Sequence, residues 1–268
     1  MSPSKASVSQ TNVSRLLRSA AQSGTLSAAS ASMLCGELGA VVVAGAAGID
    51  AENIQAADVT LVTLLIDASS SIADAGLEQA VREGQRALLD AFAGSRERDE
   101  ILVALWTFNH QPTVLHAYVP VADATRLDRK SYCGAGATSL YDVWCDALAA
   151  NVAYAEQLRA SGTPCRSLAV VITDGQDVGS RRKAADCARL SRDLLATEQF
   201  VLAFVGVGQQ VDFHAVARSM GVPSGCVLVQ ASATPSALRQ AFQLVSQSAI
   251  RVSQGLVQPG AQAGFFLP

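Results

Sequence analysis

Apolar residues along this chain recur in two periods, and the places where one period gives way to the other predict its elements. Residues 61–66, 101–108, 168–173 and 200–207 are continuously apolar runs rich in Val, Ile and Leu, the pattern of strands buried on both faces. Residues 226–230 make a shorter strand, and 113–121 alternate well enough for an edge strand joined to 101–108 by the turn at 109–112. Between these runs the period changes to that of a helix. Residues 76–93 place Leu77, Ala80, Val81, Leu88 and Phe92 on one side, and 138–159 do the same with Leu140, Trp144, Ala147, Leu148 and Leu158. Further helices are predicted over 181–197, 213–220 and 235–252, the last with Thr234 as its cap.

Strand and helix alternate from residue 58 to 254, which predicts an α/β fold: a doubly wound, mostly parallel six-stranded sheet with helices on both faces. Before it, residues 1–57 form a helical N-terminal extension, with Ala-rich candidates over 11–23, 26–34 and 38–47. After it, residues 255–268 are too rich in Gly, Gln and Pro to prolong the last helix and read as an extended tail with an apolar tip, Phe265-Phe266-Leu267. Such a tail is either a mobile end or a docking peptide for this protein, a sister copy or another subunit. The Pro268 carboxylate is the one anion it can offer a metal.

The candidate chemistry lies where strands end. The first buried strand stops at Asp67, followed by Ser69 and Ser71, so oxygen side chains stand at alternate positions as strand becomes loop. A glycine loop, Gly134-Ala135-Gly136-Ala137-Thr138, presents a threonine before a helix, and the strand over 168–173 runs into Asp174. An Asp-x-Ser-x-Ser loop taken alone is equally the pattern of a helix cap. All five residues, however, fall at carboxyl ends of strands, where open α/β sheets bind ligands, and their hard oxygens suit Mg²⁺ or Mn²⁺.

In the order and spacing of these motifs, residues 58–254 resemble a von Willebrand factor A (VWA) domain carrying a metal-ion-dependent adhesion site (MIDAS), of the intracellular bacterial type. The resemblance implies that Ser69, Ser71 and Thr138 offer oxygens to the ion, while Asp67 and Asp174 reach it mostly through water. It further implies a protein partner that presents an Asp or Glu to the metal, within an assembly that includes an AAA-type ATPase or further copies of the chain. Ser70 stands where that family usually has Gly. Asp142 is a candidate to orient the threonine loop, or else a surface carboxylate.

Two other readings use the same residues. A Mg²⁺-dependent phosphatase or phosphotransferase would take Asp67 as nucleophile, but such enzymes of the haloacid-dehalogenase type place a second aspartate two positions on, where this chain has Ser69. The chain has three lysines, Lys5, Lys130 and Lys183, none of them an evident phosphate ligand, and no P-loop motif. The expectation is therefore a binding module and not an enzyme. A structural assembly subunit is the third reading.

Composition narrows the setting. At 268 residues and 50% hydrophobic, the chain can bury a large single core. Its six cysteines are scattered without a C-x-x-C pair, which points to reduced thiols in the cytoplasm, and its three histidines are too dispersed for a metal cluster. All 23 acids lie between Glu37 and Asp212, leaving both ends basic, yet no dense basic stripe suggests nucleic acid. The cluster Arg181-Arg182-Lys183 reads most simply as a solvated helix start, with a site for an anionic partner as the alternative. Residues 38–49 are too short for a membrane span, and the Ser-rich, acid-free start is a helical appendage or an organelle transit peptide.

Overall fold

The computed structural model describes residues 9–260 and 264–266. Three helices come first, α1 (Gln10–Gln22), α2 (Ala28–Gly36) and α3 (Ala40–Gly45). Strand β1 (Val59–Asp67) is followed by a short helix α4 (Ser70–Asp74) and by α5 (Glu78–Gly94). Strands β2 (Ile101–Phe108) and β3 (Pro112–Pro120) form a hairpin, and α6 (Leu140–Ala160) leads to β4 (Cys165–Thr173). Then come α7 (Ala184–Leu195), β5 (Phe200–Val207), α8 (Phe213–Ser219), β6 (Val227–Gln230) and α9 (Pro235–Ser253).

The six strands make one sheet in the order β3-β2-β1-β4-β5-β6. Every pairing is parallel except β2 with β3, as expected for a hairpin edge. Chain order runs outward in both directions from β1 and β4, so the topological switch point lies between these two strands. In open α/β sheets the helices on either side diverge at such a point, which is where the crevice for ligands forms at the carboxyl ends. All nine residues of β1 are buried, which is why its sequence is mostly apolar and shows no alternation of apolar with polar positions.

The helix α6 is buried on nearly every side, its outer positions occupied by Ala149, Ala150 and Ala153 as well as the inner ones by Leu140, Trp144 and Leu148. Its lack of a polar stripe has a direct cause: one side packs on the sheet, while α1 and α3 of the N-terminal segment pack on the helix from outside. Val13, Leu17, Leu34 and Val42 enter the same core, and the Ile49 amide donates to the Tyr118 carbonyl at 3.0 Å. Trp144 is a core anchor, as its spacing predicts, with its indole N–H donating to Ser191 Oγ at 3.1 Å.

Beneath α6 a polar cluster is fully enclosed. Asn151 donates to Tyr118 Oη at 2.8 Å and to Thr63 Oγ1 at 3.3 Å, and it accepts from Ser167 Oγ at 2.7 Å. Tyr118 also stacks on Tyr154 at 4.8 Å between ring centres, and the Tyr154 hydroxyl donates to the Ile49 carbonyl at 2.8 Å. At its other end the chain returns to the core. The Gly260 amide donates to the Phe200 carbonyl at 2.9 Å, the Phe266 amide to the Gly225 carbonyl at 3.2 Å, and Phe265 is fully buried. Of the tail's two readings, this is the docking peptide, seated on its own domain; Leu267 and Pro268 lie outside the described residues.

Because Asn151 bonds three buried hydroxyl-bearing residues at once, truncating it takes the acceptor from Ser167 Oγ and leaves Thr63 and Tyr118 with only their bond to each other. Asn151→Ala is expected to cost about 2–4 kcal/mol of unfolding free energy, read from urea denaturation, while a conservative change at the exposed Ala160 that ends α6 costs far less.

Candidate metal centre

Asp67 is the last residue of β1 and stands directly at the switch point. It is 1% exposed, so its carboxylate depends on the groups built around it. The Ser69 amide donates to Oδ1 at 2.8 Å, the arrangement of an Asx turn. From the neighbouring strand, Thr173 Oγ1 donates to Oδ2 at 2.5 Å. The Tyr132 hydroxyl, also buried, donates to the Asp67 carbonyl oxygen. Burial nevertheless pushes this carboxyl up to about 6; the hydrogen bonds from Thr173 and Ser69 oppose the rise and nearby Asp174 adds to it.

From Asp67 a line of oxygens leads across the crevice. Ser69 Oγ lies 3.0 Å from Ser71 Oγ, and Ser71 Oγ donates to Asp174 Oδ1 at 2.8 Å. Asp174 follows β4 directly, and its carboxyl is raised by burial, partly offset by the bond from Ser71. Thr138 is buried beside them: a Cβ built on Gly175 would sit 3.5 Å from its Oγ1. The structure thus draws all five sequence-predicted residues to one end of the sheet. Four of them, Asp67, Ser69, Ser71 and Asp174, are joined by hydrogen bonds that run between the β1 and β4 exits.

The loops that carry these side chains are tied together through their backbones. The amide of Ala135 donates to the Ala68 carbonyl at 2.8 Å, and that of Ser70 to the Gly136 carbonyl at 3.0 Å. Gly134 permits this closeness, since a Cβ there would lie 2.8 Å from the Ser69 carbonyl, and Gly136 has φ +78°. Ser139 donates its amide to the Asn109 carbonyl at 2.7 Å, and Val178 donates its amide to the Thr138 carbonyl at 2.9 Å. Ser70, in place of the usual glycine, begins α4 without a positive φ, so its side chain imposes no backbone strain.

Asp142 holds the outer loop. Its carboxylate accepts from the Arg181 amide at 3.1 Å and the Arg182 amide at 3.0 Å, so it braces residues 181 and 182. Both expectations for it, orienting the threonine loop or lying free at the surface, need correction. The expectation that Arg181-Arg182-Lys183 forms a solvated helix start needs correction, because Arg182 is buried. Its guanidinium lies 2.6 Å from Asp146 and 3.0 Å from Glu37, so it joins α6 to the N-terminal segment. Thr173, Tyr132 and Arg182 are the structural groups that sequence reading missed. Thr173 adjoins Asp174 and so carried a local signal, whereas Tyr132 and Arg182 act on residues far away in sequence.

An oxygen-only set of three hydroxyls and two carboxylates fits a hard divalent cation. Among the described residues no group of three His, Cys, Asp or Glu side chains could hold a metal, and the hydroxyl donors here make such a group unnecessary. All six cysteines are free, including Cys145 and Cys187 with sulfurs 3.7 Å apart. Among the described residues no helix is long and apolar enough to cross a membrane.

No family model and no curated protein matches the chain. Solved structures do. It is similar to proximal thread matrix protein 1 from the mussel byssus, described with a zinc-occupied MIDAS motif, at 20% identity and TM-score 0.52 over 84% of this chain and 52% of that one. It is also similar to the PilB minor pilin from Streptococcus sanguinis, at 13% identity and TM-score 0.52 over 76% of this chain and 63% of that one. The pilus adhesin SpaC from Lactobacillus rhamnosus GG matches at 12% identity and TM-score 0.52, over 74% of this chain and 30% of that one. The chain therefore spans from about a third to under two thirds of these proteins' lengths. Such likenesses establish the fold alone: a doubly wound α/β sheet.

A carboxyl whose folded pKa lies above its ordinary value favours the folded state while protonated, and that stability is lost as pH rises from about 4 through about 6. With chelator present, the protein is expected to lose about 1 kcal/mol between pH 5 and pH 7 relative to Asp67→Asn. Paired denaturation curves at the two pH values measure this, and parallel pH profiles for the two proteins would refute it.

Proposed function

We propose that this chain is a Mg²⁺- or Mn²⁺-dependent protein-interaction module, whose site takes an aspartate or glutamate from a partner protein. The observation that carries this reading is the convergence of Asp67, Ser69, Ser71, Thr138 and Asp174 at the β1/β4 switch point. Ser69, Ser71 and Thr138 are the residues that would hold the ion directly, with Asp67 and Asp174 held ready to accept hydrogen bonds from its water. Bound there, the ion supplies positive charge that neutral hydroxyl ligands leave largely uncompensated, and so attracts an incoming carboxylate. The mussel protein with a zinc-occupied MIDAS supports a divalent ion in this fold. Mg²⁺ or Mn²⁺ is preferred here because every donor is oxygen.

The competing phosphotransferase reading requires Asp67 as a free nucleophile. Both carboxylate oxygens of Asp67 already accept hydrogen bonds, and the side chain is 1% exposed. Position 69 offers a hydroxyl in place of the acid that such chemistry uses. The reading is therefore of a clamp in which no bond is broken. Free thiols throughout support a cytoplasmic setting. An assembly with an AAA-type ATPase, or with further copies of the chain, remains the partner suggested by the sequence resemblance.

Calorimetry on the isolated protein should detect Mg²⁺ or Mn²⁺ binding that weakens at least about tenfold in Asp67→Ala and in Thr138→Ala, with folding intact by circular dichroism. Equal affinity in the variants would remove these residues from the site. The same protein should release no phosphate from ATP or from an aryl phosphate; turnover abolished by Asp67→Asn would instead establish the enzyme reading.

A further inference from the structure

The metal site has a neighbour that its five residues do not use. Ala68, between Asp67 and Ser69, forms part of the wall of a cavity of about 260 Å³. The rest of the wall comes from the β2–β3 hairpin, including Asn109, Gln111 and Thr113, and from residues 130–133. Tyr132 belongs to both places, since it lines the cavity and its hydroxyl holds the Asp67 carbonyl. Lys130 carries the one formal charge on this wall, and no acidic residue lines it.

Lys130 is exposed and makes no ion pair among the described residues. The nearest acid in sequence, Asp128, is turned into its own loop. It accepts from the Lys130 amide at 2.8 Å, the Ser131 amide at 2.8 Å and Ser131 Oγ at 2.9 Å. That turn fixes the backbone from which the lysine side chain projects and occupies Oδ1 of the carboxylate. The bonds from Ser131 and from the Lys130 amide hold the Asp128 carboxyl below its ordinary value, and the Lys130 charge adds a weaker attraction. An ammonium held in no direct ion pair, on a wall shared with Ala68 of the metal loop and lined by no acid, is complementary to a carboxylate.

We infer that this cavity is a second acidic subsite, and that the partner segment carries two acids, one for the metal and one seated against Lys130. The inference rests on the metal reading and adds a partner class to it: a diacidic segment of a protein, run across Ala68. Asn109 and Gln111 offer amide groups for the remaining oxygens of the second carboxylate. An extended segment advances about 3.3 Å per residue, so a series of acid spacings samples the separation of the two subsites.

Synthetic peptides with one glutamate, or with two glutamates separated by one to five residues in a Gly/Ser background, are the probes. Chemical-shift titration on the Mg²⁺-loaded full chain at about 0.15 M salt reads weak binding while screening charges farther than about 8 Å. The best diacidic spacing is expected to bind about fivefold or more tightly than the single-acid peptide, in line with a partly desolvated ion pair. Lys130→Gln should erase that advantage while leaving single-acid and Mg²⁺ affinity unchanged, and Lys130→Arg should keep most of it. Equal affinity of single-acid and diacidic peptides, or an advantage that survives Lys130→Gln, overturns the second subsite and leaves the metal clamp standing. If Mg²⁺ binds but no acidic peptide does, the clamp itself fails and the subsite fails with it.

Discussion

Burying a carboxylate at the end of the central strand removes it from water, and a buried anion with nothing to compensate it costs several kcal/mol. Asp67 sits in that position, and the surrounding structure is arranged to offset the cost: an amide from its own turn, a hydroxyl from the neighbouring strand, and a tyrosine that fixes its backbone. These groups leave its carboxyl raised to about 6, so the compensation is incomplete. A cation in the crevice would complete it. The same tension between burial and charge makes this end of the sheet suited to a metal and poorly suited to being left apolar.

The topology determines why the compensation can be gathered there at all. β1 and β4 are adjacent and parallel with Ile66 opposite Ile172, so Asp67 and Thr173 emerge side by side, although 106 positions separate them. Parallel pairing also sends both chains out of the sheet at the same end. The two loops then meet over the crevice, and the Thr138 loop closes against them through backbone bonds to Ala68, Ser70 and Val178. Side-chain hydroxyls alone would not fix such loops. Backbone pairing does so with little conformational freedom left to lose when a ligand arrives.

Much of the fold was legible because each element announces itself locally. Continuous apolar runs marked β1, β2, β4 and β5, and their ends differ from the observed ones by at most a few residues. The five oxygen-bearing residues were legible for the same reason, since each lies within or directly after a strand or glycine loop. What local pattern did not reveal is long-range pairing. Tyr132 reaches Asp67 across 65 positions, and Arg182 reaches Glu37, so neither has a periodic signature. Arg182 was misread for a physical reason: three adjacent cations suggest solvent, whereas one of them turns inward because Asp146 and Glu37 wait there. The short α4 was also missed, because five residues are too few to display a helical period.

The N-terminal helices bear on the site through α6. Thr138 immediately precedes α6, and the helix is held by the sheet on one side and by α1 and α3 on the other. Its Asn151 ties it to β1 and β4, while Asp142 and Asp146 near its start hold the loop that follows Asp174. Any displacement of α6 along its axis would therefore strain buried polar pairs near its start and at its middle before it moved the threonine. Packing that seems remote from the crevice thus fixes the position of one of its oxygens relative to the others. This argues that the hydroxyls stand in place before any ligand binds, so that the carboxylate affinity proposed for the site would depend on charge and on the width of the opening rather than on closure of the fold.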